Sequence, residues 1–183
     1  LLAQVTPRGD LFSGQSSVFY LSGKNWEDAV CEIDDGIHLY WPSIVKKHGW
    51  WGDPGGIKPN KIYEEKVNKI ESILKKAKAY FQDHNNIDLR MESMKGLFNG
   101  DKILYIHANY SADIRKSIEM IKKLNVKKCI LVGGEEALSV IDIIKKYQIP
   151  LILNRVHRLP NTEDRAIDEP FSQPQKLKEL GVK

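Results

Sequence analysis

The hydrophobic positions in the second half of the chain alternate between two periods. Three short runs, residues 102–108, 129–132 and 149–153, are almost continuously apolar, as is typical of strands buried within a sheet. Between these runs the apolar residues recur at helical spacing, which predicts helices with one buried face. The alternation predicts parallel β-strands covered by helices on both faces.

The segments between these strands carry helix signals. Ser111 is a favoured N-cap residue, and Asp113 in the first turn stabilises the positive end of the helix dipole. Gly133-Gly134 predicts a tight turn rather than an anion-binding loop, because Glu135-Glu136, which is expected to open the next helix, would repel an anion. A final helix is predicted over residues 173–180. The first of these helices has a stripe of four aliphatic residues: Ile114, Ile118, Ile121 and Leu124.

The first third of the chain has a different pattern. Short strand-like runs at residues 1–5, 17–21 and 36–41 are separated by turn residues, among them Ser13-Gly14. From Lys61 the period becomes helical and predicts a long amphipathic helix that ends at residues 84–86. A shorter helix is then predicted over residues 90–98.

Two fold classes fit this order of elements: an open doubly wound α/β sheet, and part of a (β/α)₈ TIM-like barrel with parallel strands and flanking helices. A complete barrel takes about 250 residues, so a chain of 183 residues favours a partial barrel. We divide the chain into an irregular β-rich segment, residues 1–60, and a βα-repeat segment, residues 61–183, which together form one incomplete domain. Because Leu1 stands within a strand-like run, we expect a fragment of a longer protein. The sequence does not choose between a periplasmic and a cytoplasmic location for that protein.

The composition excludes several classes of protein. Hydrophobic residues make up 42% of the chain and charged residues 28%, with a mean hydropathy of −0.40, which indicates a globular domain. The net charge of +4 is spread among interspersed acids, so we expect neither a nucleic-acid partner nor membrane insertion. Cys31 and Cys129 both lie in apolar runs and are predicted to be buried thiols.

His107 is the best single candidate for chemistry. In both fold classes ligands bind at the carboxyl ends of the parallel strands. His107 is a titratable residue at the end of an otherwise apolar strand. It is predicted to act as a metal ligand or as a general base, with a hydrogen-bonded structural histidine as the alternative.

The segment after the third apolar run, residues 154–170, is long for a loop of this type, and long loops are often functional. Its arginines and carboxylates suit a polar or zwitterionic small-molecule substrate, although a salt-bridged surface loop fits equally well. The adjacent Trp50 and Trp51 are predicted to form a substrate lid or an interface patch, or to pack against the rest of the parent chain. The candidate substrate-binding residues are Arg155, His157, Arg158, Asp164 and Asp168.

Four strings follow one another from Ile103 to Val182: I-L-Y-I-H-A-N-Y-S-A-D-I, I-L-V-G-G-E-E-A, P-L-I-L-N-R-V-H-R-L-P-N-T-E-D and D-E-P-F-S-Q-P-Q-K-L-K-E-L-G-V. The string T-P-R-G-D-L-F-S-G-Q-S-S-V precedes them in the first segment. In their order and spacing, these strings resemble the amidohydrolase superfamily, in particular the imidazolonepropionase-like proteins of bacteria. The resemblance runs over most of the chain and depends on no single catalytic signature.

The resemblance implies a distorted (β/α)₈ barrel that hydrolyses amide or cyclic amide C–N bonds with metal-activated water. It implies that His107 is the fifth-strand ligand of a divalent zinc, manganese or iron ion in the full-length parent. The other family ligands are an H-x-H on the first strand, a sixth-strand histidine and an aspartate after the eighth strand. This sequence contains no H-x-H and has Val132-Gly133-Gly134 where the sixth-strand histidine would stand; the aspartate would lie beyond Lys183.

We therefore expect a fragment of a metal-dependent amidohydrolase that is inactive, and holds no cofactor, as an isolated chain. Its expected partners are a small-molecule substrate, the rest of the parent chain and, through exposed sheet edges, a second copy of itself. The alternative is a non-catalytic barrel relative or α/β module that binds a small molecule or a protein partner. An H-x-H upstream and an aspartate downstream in the parent would favour the enzyme.

Overall fold

The computed structural model describes residues 1–47, 56–83, 86–160 and 166–183. Trp50 and Trp51, predicted as a lid, lie outside the described residues, as does the candidate substrate-binding residue Asp164. The described strands are β1 (Leu2–Val5), β2 (Phe12–Tyr20), β3 (Val30–Tyr40), β4 (Val45–Lys47), β5 (Ile57–Pro59), β6 (Ile103–Ala108), β7 (Lys128–Gly133) and β8 (Leu151–Leu153). The described helices are α1 (Trp26–Ala29), α2 (Tyr63–Gln82), α3 (Leu89–Met94), α4 (Gly96–Asn99), α5 (Ser111–Lys123), a 3₁₀ turn (Ala137–Val140), α6 (Ile141–Lys146) and α7 (Glu169–Glu179).

The main sheet combines an antiparallel edge with a parallel centre. Six of the described strands form it, in the order β1-β2-β3-β6-β7-β8. β1, β2 and β3 pair antiparallel, whereas β3–β6, β6–β7 and β7–β8 pair in parallel. This sheet curls into a half-barrel flanked by helices, which confirms the predicted partial-barrel α/β fold. β3 adds a parallel strand from the segment that the sequence predicted to be irregular.

The helices pack against one face of the parallel strands, which we call the outer face. Leu39, Ile106 and Leu131 point to it and are each 0% exposed, in a core that α2, α5 and α6 complete. On the opposite, inner face Val132 is partly exposed and Ile152 is 46% exposed. The prediction that helices cover both faces is therefore wrong at Val132 and Ile152, on the inner face of β7 and β8. Because Ile and Val occupy both faces of β7, its period of two is hidden in the sequence.

Two predicted helix starts differ from the structure. Ser111 is the first residue of α5 and not its N-cap, which is Tyr110 without a side-chain hydrogen bond. The Ser111 N–H instead donates to Glu136 Oε2 at 2.8 Å, so the acceptor for this helix end comes from the β7–α6 connection. Glu136 therefore does not open a helix of its own; the 3₁₀ turn follows it, and α6 begins at Ile141.

Three smaller predictions also need correction. Ser13-Gly14, predicted as a turn, lies inside β2, where its glycine has φ +129° beside a register shift and the backbone bulges. The helix predicted over residues 90–98 is two short helices, α3 and α4, and the final helix begins earlier, at Glu169. Cys129 is buried as predicted, whereas Cys31 is exposed.

α2 confirms the predicted long helix, with Val67, Ile70, Leu74 and Ala77 on its buried face. Phe81, predicted to continue this face, is 39% exposed. The helix ends at Gln82, and residues 84–85, part of its predicted end, lie outside the described residues. Within the described part of the chain, no helix combines the length and the apolar character needed to cross a bilayer.

Candidate functional site

A cleft of about 600 Å³, which we call the main cleft, opens at the carboxyl ends of the parallel strands. Tyr40 from β3, His107 from β6 and Val132 from β7 form part of its wall. Asn109 and Asp113 follow β6 along the chain and line the same cleft. The histidine that the sequence singled out therefore lies where ligands bind in α/β folds of this kind.

β6 turns His107 toward the inner face, because the preceding Ile106 is fully buried on the outer face and strand side chains alternate. In the register of the sheet, Tyr40 on β3 and Val132 on β7 stand on either side of His107. The Tyr40 ring stacks on the imidazole, with ring centres 4.0 Å apart and planes 11° from parallel. One side of His107 is thus fixed by an aromatic ring and the other is bordered by an apolar side chain.

A second histidine, which the sequence analysis did not single out, lies against the first. His38 on β3 places its Nδ1 2.8 Å from Nε2 of His107, although 69 residues separate them. His38 is 1% exposed and stacks on Tyr105, with ring centres 4.6 Å apart. The rings of Tyr105, His38, His107 and Tyr40 form one continuous row on the inner face, which we call the ring row.

Burial keeps both imidazoles of the ring row neutral. It lowers the pKa of His107 to about 4, with a smaller contribution from His38. Burial also lowers the pKa of His38, while the nearby Asp35 carboxylate acts in the opposite direction. Near neutral pH one ring therefore donates the hydrogen of the N···N contact and the other accepts it. This contact occupies Nε2 of His107 and leaves Nδ1 as its ring nitrogen for the cleft.

A buried carboxylate holds Tyr105 in the row. Burial and the Asp35 carboxylate raise the pKa of Tyr105 to about 12, so its hydroxyl keeps its proton and donates. A buried polar network whose members are paired fixes orientation, and this one ties the antiparallel strands β1 and β2 to the ring row. Asp35 accepts three hydrogen bonds of 2.7 Å, from Gln4 Nε2, Ser16 Oγ and Tyr105 Oη.

The end of β7 offers His107 no further ligand. Val132 stands beside it in the register, and the next residue, Gly133, has φ +101°. This left-handed backbone favours glycine, and a Cβ at Gly133 would also displace the Asn109 side chain, whose Oδ1 would lie 2.3 Å from it. Throughout the described residues, no group of three or more His, Cys, Asp and Glu side chains is placed to hold a metal ion. His107 and His38 by themselves therefore do not fit the three-ligand metal site that the resemblance implies.

Two of the predicted substrate-binding residues lie near the site. Arg155 and Arg158 line a second cleft of about 570 Å³, which shares Asn154 with the main cleft. The Arg158 guanidinium lies 3.8 Å from the Glu135 carboxylate, so its charge is partly balanced. The basic end of the predicted loop thus adjoins the cleft that contains His107.

The other predicted loop residues are not brought to these clefts. The His157 ring contacts the Phe171 ring edge-on, with centres 5.7 Å apart, and lines neither cleft. Asp168 is the exposed N-cap residue of α7 and also lines neither cleft. Asp164 lies outside the described residues.

His38 is not among the residues predicted from the sequence, although one signal in the sequence points to it. His38 and Tyr40 alternate with the apolar residues Ile37 and Leu39, which is the period-two pattern of a strand with one polar face. The same alternation places Tyr105 and His107 on one face of β6. The pattern alone did not indicate that the two strands are neighbours.

Neither a protein-family profile nor a curated protein matches this chain. The solved structure of an amidohydrolase from Thermotoga maritima is similar to it, with a TM-score of 0.76 and 16% sequence identity. The likeness covers 99% of this chain and 49% of that one, so this chain spans about half the length of the amidohydrolase. At this identity the likeness shows the fold alone: the chain has an amidohydrolase-like fold.

Proposed function

We propose that this chain forms part of the substrate cleft of a hydrolase that cleaves C–N bonds in amides or cyclic amides. The proposal is supported by an amidohydrolase-like fold together with a neutral histidine in the cleft at the carboxyl end of β6. We expect activity in the full-length protein and none in the isolated chain, because this chain spans about half the length of the amidohydrolase that it resembles. We further propose that, among such hydrolases, the parent protein is most similar to the imidazolonepropionases.

His107 is the observation that carries the proposal. His107 lines the cleft, and its contact with His38 uses Nε2, so we assign to Nδ1 the one hydrogen bond that it can accept from or donate to a substrate or a water molecule. With a pKa of about 4, His107 does not hold an extra proton near neutral pH. We therefore assign it the role of positioning the attacking water or the amide by hydrogen bonding.

A divalent zinc, manganese or iron ion is also implied by the resemblance. The described residues supply two imidazoles whose nitrogens already contact each other, and no third ligand beside them. They do not fit an ion on their own, and we assign no step of the reaction to one.

The second cleft supports a substrate that carries a negative charge. Arg155 and Arg158 line it, and arginine binds carboxylates through paired N–H donors. We propose that these arginines contact the part of the substrate that lies beyond Asn154. Contacts from His157, Asp164 and Asp168 stay predictions.

A non-catalytic barrel relative that binds a small molecule is the second candidate. The observation that favours it is Val132, an apolar residue in the register position beside His107. A pocket with one hydrogen-bonding imidazole and apolar and aromatic walls is also suited to binding alone.

Hydrolysis of a panel of linear and cyclic amides by the full-length protein tests the proposal. We expect turnover to fall about 100-fold or more in His107→Ala and to persist in Lys69→Ala, an exposed control on α2. The metal content of the same samples, prepared with metal supplied, shows whether an ion is held and whether His107 is needed for it. Amide binding without hydrolysis by the wild-type protein would overturn the enzyme and favour the binding module.

A further inference from the structure

Arg8 brings a positive charge to the main cleft from the first segment of the chain. It is exposed and lines the cleft together with His107. Among the residues that the structure describes, its guanidinium has no hydrogen-bond or ion-pair partner. An arginine side chain has five N–H donors and no acceptor, so this one can bind an anion in the cleft without breaking an existing contact.

The other charged residue among those described in the wall of the main cleft is Asp113, which is already paired within the protein. It is 2% exposed and accepts the Ile44 N–H at 3.2 Å and a hydrogen bond from Tyr63. The positive charge of Lys116 also stabilises its carboxylate. Arg8 is therefore the charge in the wall of this cleft that stays available to a ligand.

The connection between β1 and β2, which carries Arg8, is anchored beside the ring row. It ends at Leu11, whose side chain is 5% exposed and whose carbonyl accepts the Tyr40 N–H at 2.8 Å. The Tyr40 ring in turn stacks on His107. The same tyrosine therefore holds the end of this connection and the imidazole of the cleft.

We propose that Arg8 binds a carboxylate of the substrate within the main cleft. The inference rests on the proposed function and narrows its substrate to an amide with a carboxylate on the same part of the molecule as the scissile bond. The paired N–H donors of an arginine match the two oxygens of a carboxylate. Because burial keeps His107 neutral near neutral pH, a preference of this cleft for anions depends on Arg8. A surface arginine that only contacts water would not make the cleft distinguish an anionic ligand from a neutral one.

Binding of two matched probes to the full-length protein tests this inference without any turnover. N-acetylglycine has a carboxylate next to an amide, and N-acetylglycinamide has a neutral amide of nearly the same shape in place of that carboxylate. Ligand-observed NMR titrations measure the affinities of both probes. We expect N-acetylglycine to bind wild type about tenfold more tightly, because a hydrogen-bonded pair of opposite charges is stronger than its neutral counterpart.

Arg8→Gln should remove this preference by weakening N-acetylglycine binding about tenfold and leaving N-acetylglycinamide unchanged. Arg8→Lys keeps the charge but loses the paired donors, so we expect it to weaken N-acetylglycine binding by about threefold. Arg90→Gln removes the same charge from a side chain that is 89% exposed on α3 and lines neither cleft. This control should keep the full preference.

The Arg8 side-chain Nε–H resonance of wild type, assigned from its absence in Arg8→Lys, locates the contact directly. We expect it to shift with N-acetylglycine and to stay in place with N-acetylglycinamide. This measurement does not depend on how any variant folds.

Equal affinity of wild type for the two probes, or an unchanged preference in Arg8→Gln, would overturn the inference. A preference that is lost in Arg155→Gln instead would assign the carboxylate to the second cleft and overturn the inference as well. The proposed function fails separately. A protein that binds N-acetylglycine through Arg8 but hydrolyses no amide keeps this site and loses the hydrolase, and the reverse result keeps the hydrolase and loses this site.

Discussion

The outer and inner faces of the parallel sheet are built from the same strands but are stabilised in different ways. On the outer face, Leu39 and Ile106 are each 0% exposed and pack against helices. On the inner face, the neighbouring residues His38 and His107 are joined by a 2.8 Å contact between ring nitrogens and by stacked tyrosines. One face gains free energy from area removed from water, which has no direction. The other depends on directional contacts, each of which fails when one partner is lost.

This difference indicates where substitutions act. A smaller side chain on the outer face should lower the free energy of unfolding whatever its chemistry, because it leaves a cavity. A change on the inner face should depend on which hydrogen bond it breaks, and it should also change how the site binds protons. The following predictions compare the two faces, beginning with the largest expected effect.

Ile106→Ala and Ile152→Ala make the same chemical change on opposite faces. Ile106 is 0% exposed on the outer face, and Ile152 is 46% exposed on the inner face of β8. We expect Ile106→Ala to lower the free energy of unfolding by about 3 to 4 kcal/mol. Ile152→Ala should lower it by about 1 kcal/mol or less, because little area leaves water there. Urea unfolding of the two variants measures both values, and equal losses would contradict the assignment of the faces.

The outer face could largely be predicted from the sequence. The predicted stripe of α2 repeats at helical spacing through Val67, Ile70, Leu74, Ala77 and Phe81. The first four are buried, whereas Phe81, in the last turn, is 39% exposed. Spacing of this kind is local, so a short window of sequence contains all the information it needs. Helix starts were predicted less well: Ser111 is not the N-cap of α5, because Glu136, which is distant in sequence, accepts its N–H.

The candidate site could be predicted only in part. His107 was found because it stands at the end of an apolar strand. Its contact with His38 was not, because 69 residues separate the two and the contact requires the parallel pairing of β3 with β6. Likewise Asp113 was assigned to the α5 dipole, whereas its contacts with the Ile44 N–H and with Tyr63 depend on residues that are distant in sequence. Local spacing predicts which face a residue occupies, whereas strand order decides which residue it meets.

Asp35→Asn tests whether the inner face contributes to stability as well. The Asp35 carboxylate accepts three hydrogen bonds from buried or partly buried donors, and the asparagine NH₂ would point at one or more of those donors. We expect a loss of about 2 to 3 kcal/mol in the free energy of unfolding. Asp34→Asn is the matched control, because Asp34 has φ +55°, a conformation that asparagine adopts readily. The effect of Asp34→Asn should be within about 0.5 kcal/mol of zero. A similar loss in both variants would show that the loss in Asp35→Asn does not come from its three hydrogen bonds.

Acidification should weaken the inner face and leave the outer face unchanged. Burial lowers the pKa of His107 from 6.5 to about 4, so between these values the unfolded chain binds a proton that the folded chain excludes. Stability from this group is therefore present above pH 6.5 and is lost as the pH falls toward 4. We expect a loss of roughly 2 kcal/mol, after allowing for the partial exposure of the ring.

Urea unfolding of wild type across this pH range measures the loss, and His107→Asn should reduce it. The exposed histidine variant His157→Asn should keep the wild-type dependence, because its ring is not part of the ring row. Equal pH dependence of His107→Asn and wild type would mean that other groups dominate the acid transition. If the free energy of unfolding of Ile106→Ala fell more steeply with acidification than that of wild type, the two faces would not act separately.

Tyr105→Phe removes the smallest part of the inner network and separates its hydrogen bond from its ring stack. The phenylalanine ring keeps the stack on His38, whereas Asp35 loses one of its three donors. We expect a loss of about 1 kcal/mol, less than for Asp35→Asn, because the two remaining donors still satisfy the carboxylate. Tyr80→Phe removes a hydroxyl that donates to the exposed Glu92 and accepts the Asp88 N–H. It should change stability by about 0.5 kcal/mol or less, because water can replace both contacts at the surface. If Tyr105→Phe costs as much as Asp35→Asn, the hydroxyl carries most of the network and the inner face depends on a single contact.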